Sequence, residues 1–286
     1  MLDELIRKTI REMVGGSGPP VAFLIPKGDR GLLGPESIAW KVHADFISMM
    51  IGGISSLILQ ALHPQALAGV WDHSSFREDL KGRLGRTAFF IAATTYGSTE
   101  MANNIIEKVN HIHTKITGLD EFGKPYSATD PHLLSWVHLT ETRSFMSAHE
   151  GYRNETITPK EKDQYFLEMK SLGEKMGAID LPSTYANTEN AIEAYIPELY
   201  FGERAESIID LLENFSSKLA AKPFIKLISR AGFLNLPDWV YPMIGKAKPS
   251  YLERLAVKKS IDLIAIPIRE ALKDGVAAHS LRRVYG

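Results

Sequence analysis

The chain has 286 residues, of which 44% are hydrophobic, and a formal net charge of -1. This composition can bury a large core, and the mixing of basic and acidic residues leaves no basic face for a phosphate backbone, so nucleic acid is not an expected partner. Cysteine is absent, which excludes disulfides, thiolate-bound zinc, iron–sulfur clusters and a thiolate-ligated haem. Any metal must therefore be held by histidine, by carboxylate or by a cofactor.

The N-terminal segment 1–14, MLDELIRKTIREMV, is charged and amphipathic from its third residue. It lacks the apolar core of a secretory signal, so we interpret it as a surface helix of a cytoplasmic protein. The following segment 15–35 is rich in glycine and proline, which is typical of a loop. VAFLIP at 21–26 is the only strand-like piece of the sequence.

A helix over 35–45 is predicted to lead into the most apolar window of the chain, residues 46–62. This window contains three serines, two glycines and a glutamine, and it is shorter than the roughly 20 residues that a membrane span needs. A buried central helix is the better interpretation. The pattern leaves a loose membrane association open.

The pair His63-Pro64 predicts a break, because the residue before a proline is pushed out of the helical region. A short helix over 65–71 and a turn over 72–79 follow. The next helix covers 82–96, and Gly97 with the capping Ser98 separates it from a helix that runs to about residue 116.

The segment 118–130 is predicted as a loop, and the helix HLLSWVHLTETRSFMSAHEGY follows it. Thr158-Pro159 begins an amphipathic helix. Further helices are predicted over 183–196, 197–220 and 252–274. The fold class is therefore all-α, with one multi-helix globular domain over residues 1–286.

Two of the nine histidines, His111 and His113, lie near the end of one predicted helix. The helical neighbours of His113 are Ile106, Val109, Ile116 and Thr117, whereas those of His111 are polar or charged. His113 is therefore expected to point to the core and His111 to solvent. Spacing alone favours a hydrogen-bonded core histidine over a metal ligand at position 113.

Other metal and hydrolase motifs are missing from the sequence. A di-iron bundle needs paired Glu-x-x-His motifs, which do not occur, and His149-Glu150 is followed by Gly-Tyr-Arg, so it fails the zinc-protease pattern. The sequence also lacks a dinucleotide-binding glycine motif, a Walker loop and a Gly-x-Ser-x-Gly elbow.

Two more segments carry candidate chemistry. In the segment RLGRT, Arg83, Thr87 and Phe90 would share one helix face that continues into apolar residues. A cation at the mouth of an apolar pocket pairs well with carboxylates such as haem propionates, although a surface arginine pair gives the same pattern. His63 at the predicted break is explained equally by a capping imidazole.

Three segments in this order resemble the family of the fungal oxygenase MpaB and the bacterial latex-clearing proteins, which are rubber oxygenases. They are LILQALHPQALAGVWDHSSF, RLGRT with its apolar helix, and HTKITG followed by GKPYSATDPHLLSWVH. The motif match covers about residues 39–151. The resemblance implies an all-helical fold that holds a b-type haem between central helices.

The resemblance assigns residues to roles. His113 falls on the family's haem-ligating histidine, and Arg83 and Thr87 fall on residues close to the haem on its distal side. Arg86 stands where latex-clearing proteins have a lysine able to approach the iron, and a guanidinium does not replace that amine. Leu67 stands where they place a distal glutamate, so polyisoprene cleavage by their mechanism does not carry over.

The resemblance thus implies a haem-b oxygenase or peroxygenase that activates oxygen or peroxide and oxidises an apolar, lipid- or terpenoid-like substrate. Arg83, Arg86 and Thr87 are the candidate catalytic residues. His63 and His138 join His113, Arg83 and Thr87 as candidate cofactor-binding residues, and His113 is the candidate iron ligand. The alternative is a non-catalytic helical protein that binds a hydrophobic ligand or a partner.

Overall fold

The computed structural model describes Glu4, residues 20–214 and residues 222–286. Apart from Glu4, the predicted surface helix at 1–14 lies outside these residues, as does the end of the predicted helix 197–220. The described part of the chain is all-α, as predicted, and contains thirteen α-helices and one two-stranded hairpin.

The α-helices are α1 Ile38–His43, α2 Phe46–Ala61, α3 Pro64–His73, α4 Leu80–Tyr96, α5 Thr99–His113, α6 Pro131–Tyr152, α7 Pro159–Lys175, α8 Tyr185–Ala194, α9 Glu203–Asn214, α10 Lys222–Leu234, α11 Val240–Met243, α12 Tyr251–Leu272 and α13 Val276–Tyr285. The strands β1 Thr117–Leu119 and β2 Pro125–Ser127 pair antiparallel. Short 3-10 helices cover Pro20–Leu24 and Ile196–Glu198.

Several sequence predictions need correction. The strand-like VAFLIP segment falls mostly in a 3-10 helix, and the predicted loop 118–130 contains most of the hairpin instead. The helix predicted from Pro197 begins at Glu203, because the chain first forms the Ile196–Glu198 3-10 turn and then passes through Gly202. Helices α10, α11 and α13 were not predicted.

The apolar window forms the central helix α2, as expected. Its two sides are buried by α6 and α10, and the contact with α6 is the most extensive. A Cβ on Gly52 would lie 2.7 Å from Phe145 Cδ1 and 2.9 Å from the Ser144 carbonyl oxygen. Only glycine therefore permits this approach, because an interior packed to crystal-like density has no room for another methyl group.

Helix α2 begins at Asp45, which is buried and accepts hydrogen bonds from the amide and hydroxyl of Ser48. Arg269 of α12 forms a two-pronged ion pair with Asp45, at 2.7 Å and 2.9 Å, and also donates to the Tyr152 carbonyl at the end of α6. Burial tends to raise the pKa of Asp45, but Arg269 and Ser48 outweigh it and hold that pKa below its usual value. One guanidinium thus joins the ends of three helices.

No single described helix is long and apolar enough to cross a membrane. The pair α2 and α3 passes the same test of length and composition when taken together, but it is bent by 106° at the His63-Pro64 break.

Helices α4 and α5 form an antiparallel hairpin. Gly97 ends α4, and the Ser98 side chain accepts a hydrogen bond from the Met101 amide to cap α5. The two helices have 17 and 15 residues and pack against each other, so the last turn of α5 lies beside the first turns of α4. This arrangement brings His113 to the same end of the hairpin as Arg83.

The adjacent glycines of α2 provide a matched test of the packing. Gly52→Ala should lower the free energy of unfolding by about 1–3 kcal/mol, because the new methyl group meets Phe145 and the Ser144 carbonyl. Gly53→Ala should leave it unchanged or raise it by up to about 1 kcal/mol, because no atom lies within 4 Å of the new Cβ and alanine favours the helix. Urea unfolding of both variants measures the difference, and equal changes would contradict the close α2–α6 contact.

Candidate functional site

One stripe of α2 is not fully covered by its neighbours. Gly53, Leu57 and Gln60 follow one another at helical spacing, and all three are half-buried in a helix whose other faces are buried. Beyond the missing side chain of Gly53 there is open space. Leu57 and Gln60 line an apolar cavity of about 60 Å³. We call the open space and this cavity the central cleft.

The cavity lies between α2, α3, α4, α6 and α9. Its lining is almost entirely aliphatic or aromatic and comprises Leu57, Gln60, Ala61, Ala66, Leu67, Val70, Phe76, Leu80, Arg83, Val137, Ile208, Leu211 and Leu212. Such a lining excludes water and favours an apolar guest. The volume suits a molecule of a few atoms, such as dioxygen or the tip of an aliphatic chain.

Among the described residues of that lining, Arg83 is the one that carries a charge. Its guanidinium donates a hydrogen bond of 2.8 Å to the Ser74 hydroxyl, and no described carboxylate lies within ion-pairing distance. Burial, together with the nearby positive charge of Arg86, lowers the pKa of Arg83 to about 10. A charged guanidinium without a counter-ion at an apolar cavity is suited to receive an anionic group of a ligand.

The other two residues of the RLGRT segment differ from Arg83 in their surroundings. Thr87 and Arg86 are both exposed, and a guanidinium nitrogen of Arg86 lies 3.7 Å from the Asp79 carboxylate. The structure therefore brings Arg83 to the cavity, while neither Arg86 nor Thr87 is part of its lining.

His113 is the last residue of α5, because the helix that was predicted to run to about residue 116 ends at position 113. The ring is half-buried, whereas His111 is exposed. The Nδ1 atom of His113 is shielded from solvent, and neither ring nitrogen hydrogen-bonds to a described residue. Burial lowers the pKa of His113, which favours the neutral imidazole that ligates a metal.

His138 lies on the side of α6 that faces α7. Its ring hydrogen-bonds to the backbone of Met169 and packs against Gly173, where a Cβ would lie 2.8 Å from the ring. Burial lowers the pKa of His138 to about 4. This histidine is thus held by α7 and does not line the cavity at Arg83.

His63 ends up among other polar residues. It is only 2% exposed and precedes α3, but its side chain forms no capping hydrogen bond, so the interpretation as a capping imidazole is wrong. Its ring centre lies 6.4 Å from that of His132, and its Nε2 atom is 3.6 Å from a Glu198 oxygen. The structure therefore groups His63 with His132 and Glu198, not with Arg83.

Glu141 was missed in the sequence. Helices α2 and α6 pack antiparallel, with Gln60 beside Val137 and Gly52 beside Phe145. Glu141, one turn after Val137, therefore lies level with the stretch of α2 between Leu57 and Gly53. It is half-buried, receives no hydrogen bond from the described residues, and burial alone raises the pKa of its carboxyl to about 7.

A buried polar chain lies near this carboxyl. The His43 ring bridges the Thr95 hydroxyl at 2.8 Å and the Tyr165 hydroxyl at 3.0 Å. Burial is the main reason that the pKa of His43 falls to about 3, so its ring is neutral. The charge of Glu141 acts on Tyr165, which places the carboxyl and this chain in the same part of the molecule.

A wider, open depression of about 940 Å³ lies elsewhere, around Arg143, Asn235 and Trp239. Its charged groups are largely paired with one another: Arg143 binds Glu189, and both Lys248 and Arg254 approach Asp238. Because these charges already have partners and the lining is half polar, we regard the smaller apolar cavity as the functional site.

These features define a class: a helical protein with an apolar internal cavity lined by one half-buried arginine, together with an unpaired carboxyl on α6 and a half-buried histidine at the end of α5. Residues 40–264 match the family described as "ER-bound oxygenase mpaB/B'/Rubber oxygenase, catalytic domain". The match covers well over half of the chain, so the chain belongs to this family of oxygenase catalytic domains. Neither a curated protein nor a solved structure matches it.

The unpaired carboxyl predicts a pH-dependent stability. The folded-state pKa of Glu141, about 7, lies above its unfolded value, so the stabilisation linked to the neutral carboxyl is present at low pH and lost as the pH rises through 7. Glu141→Gln should therefore raise the free energy of unfolding at pH 8, by up to roughly 3 kcal/mol, and change it little at pH 5.

Urea unfolding at the two pH values measures this effect. Glu121→Gln, which changes an exposed carboxyl in the hairpin, is the matched control. Its effect on the free energy of unfolding should be the same at both pH values. An equal effect of Glu141→Gln at pH 5 and pH 8 would show that its carboxyl is ionised normally.

Proposed function

We propose that this protein is a haem-b-dependent oxygenase that activates oxygen or peroxide to oxidise an apolar, lipid- or terpenoid-like substrate. The family supports an oxygenase activity in the broad sense. The observation that carries the finer proposal is the apolar cavity beside Arg83, at the same end of the α4–α5 hairpin as His113.

Three features of the central cleft and its border fit a haem. The imidazole of His113 has no hydrogen-bond partner among the described residues, so a ring nitrogen is free to ligate iron. The guanidinium of Arg83 lacks a carboxylate partner there and is suited to a propionate. No atom lies within 4 Å of the position that a Cβ of Gly53 would take, so the central helix is open on this side.

In this proposal His113 would ligate the haem iron and Arg83 would bind a propionate. Thr87, one turn after Arg83 and exposed, adds a hydroxyl near the same group, and Arg86 contributes positive charge at the entrance. His63 and His138 are absent from the lining of the cavity, so this proposal gives neither of them a contact with the haem. A bound haem would supply the activation of oxygen or peroxide.

The protein itself orients the substrate and excludes water. Leu57, Leu67 and Val70 give the cavity an aliphatic wall that accepts an apolar chain. Leu67 is 3% exposed and cannot act as the acid that latex-clearing proteins have there. We propose that Glu141 takes the proton-handling role, because a carboxyl with a pKa of about 7 both holds and releases a proton at neutral pH.

Haem ligation is tested by the colour of the protein. Protein purified from haem-replete cells, or reconstituted with haemin, should show a Soret band. His113→Ala should lose this band, whereas the matched variant His111→Ala should keep it, because His111 is exposed. A colourless protein that takes up no haemin would overturn the haem proposal and favour a non-catalytic protein that binds a hydrophobic ligand or partner.

The arginine pair provides a second matched test. Arg83→Ala should weaken haemin retention on the order of tenfold, as expected for a charge-assisted hydrogen bond at a partly buried site, without abolishing the Soret band. Arg86→Ala should retain haemin normally, because this side chain is exposed and lies beside Asp79. Transfer of haemin to apomyoglobin measures both rates, and equal rates for the two variants contradict the propionate role of Arg83.

A further inference from the structure

A second group of potential ligands lies where three segments meet. His63 immediately precedes α3, His132 lies in the first turn of α6, and Glu198 ends the short 3-10 helix at 196–198. One potential ligand atom from each, a histidine nitrogen or a carboxylate oxygen, lies within 4.8 Å of the others. Two imidazoles and one carboxylate are a common donor set for divalent transition metals in proteins.

His63 is the strongest sign that this group binds something. The residue is 2% exposed, and both ring nitrogens are buried without a hydrogen bond to any described residue. Its Nε2 atom lies 3.6 Å from Glu198 Oε2, which is too long for a hydrogen bond. Buried polar atoms are normally paired, so an imidazole that lacks a hydrogen bond and faces a carboxylate at this distance fits a ligand bound by both groups.

The separations suit one ion. His132 Nε2 lies 2.9 Å from the same Glu198 oxygen that is 3.6 Å from His63. Ligand atoms about 2.0–2.2 Å from a single ion are separated by roughly 3–4 Å, so the observed group needs only small adjustments. His132 and Glu198 can make them, because their side chains are 50% and 44% exposed, while His63 stays fixed.

The surroundings also orient the ligands. The His132 ring stacks on Tyr195 at 4.5 Å, and the Tyr195 hydroxyl lies 3.3 Å from Nδ1 of His132 while donating to its backbone carbonyl. A hydrogen bond on the second nitrogen is what fixes a metal-ligating imidazole. The segment that carries Glu198 is tied down by a main-chain hydrogen bond from Tyr200 to the Leu62 carbonyl, next to His63.

We propose that His63, His132 and Glu198 form a site for one divalent first-row transition-metal ion such as Zn²⁺. The ion joins the start of α3, the start of α6 and the 196–198 turn, and water completes its coordination on the exposed side. This site is separate from the proposed haem and does not depend on it, since neither His113 nor Arg83 takes part.

The test is equilibrium dialysis of the full chain, freed of any affinity tag and stripped with EDTA, against Zn²⁺, followed by elemental analysis. The wild-type protein should bind one Zn²⁺ per chain at this site. His132→Gln and Glu198→Gln should each weaken that binding at least tenfold. Both side chains are exposed, so these variants are expected to fold, and His111→Gln is the matched control that should bind Zn²⁺ like the wild type.

X-ray absorption at the zinc edge gives an independent readout, with two imidazoles expected around the bound ion. Two results would overturn the proposal: wild-type protein that binds no more Zn²⁺ than the His132→Gln/Glu198→Gln double variant, or bound Zn²⁺ whose spectrum lacks imidazole. If the wild-type protein binds Zn²⁺ as expected but shows no Soret band after addition of haemin, the haem proposal alone is contradicted.

Discussion

The contact between α2 and α6 at Gly52 sets the geometry on which the rest of the fold depends. A backbone that approaches a phenylalanine ring and a carbonyl this closely cannot carry a side chain there. Gly232 makes the same kind of contact from α10, where a Cβ would lie 2.6 Å from Ile54 Cγ2. Helix α2 is therefore clamped on two sides, and the stripe through Gly53 is its least covered face in the part of the chain that the structure describes.

Polar groups lie at both ends of α2. Asp45 begins the helix with its carboxylate buried, and Arg269 compensates that charge with two hydrogen bonds. Breaking a buried pair of this kind leaves an uncompensated charge, which typically costs about 3–5 kcal/mol. At the other end, the chain bends by 106° between α2 and α3 at His63-Pro64. The helix break imposed by the proline therefore marks the end of α2.

Two titratable residues on the helices around α2 reduce the stability of the fold. Glu141 and Arg83 both lose solvation without gaining an ion pair from the described residues. The pKa of Glu141 is raised and that of Arg83 is lowered, and both shifts favour the neutral form. A core selected only for stability would carry apolar residues at these positions. Charged groups that are retained at such a cost are typical of sites that bind or transform a ligand.

Much of this fold could be predicted because its helices obey simple rules. The apolar run of α2, the break at His63-Pro64 and the Gly97-Ser98 turn depend only on local sequence, and the helix face of His113 follows from its neighbours. The hairpin at 117–127 was missed because three-residue strands show too little alternation. His132 and Glu198 were missed because they are 66 residues apart, and no local pattern indicates that they meet.

His63 shows what the structure adds to such reasoning. Its segment resembles the family, which suggested that His63 binds the haem, whereas its position before a proline suggested that it caps a helix. Both interpretations used only its neighbours in the sequence. The kink turns the imidazole away from the capping geometry and toward Trp136 and His132, whose ring centres lie 6.2 Å and 6.4 Å away. An imidazole so placed can satisfy its nitrogens only through residues from distant segments or through an ion that they share. The bend that defines the end of α2 therefore also decides which partners are available to His63.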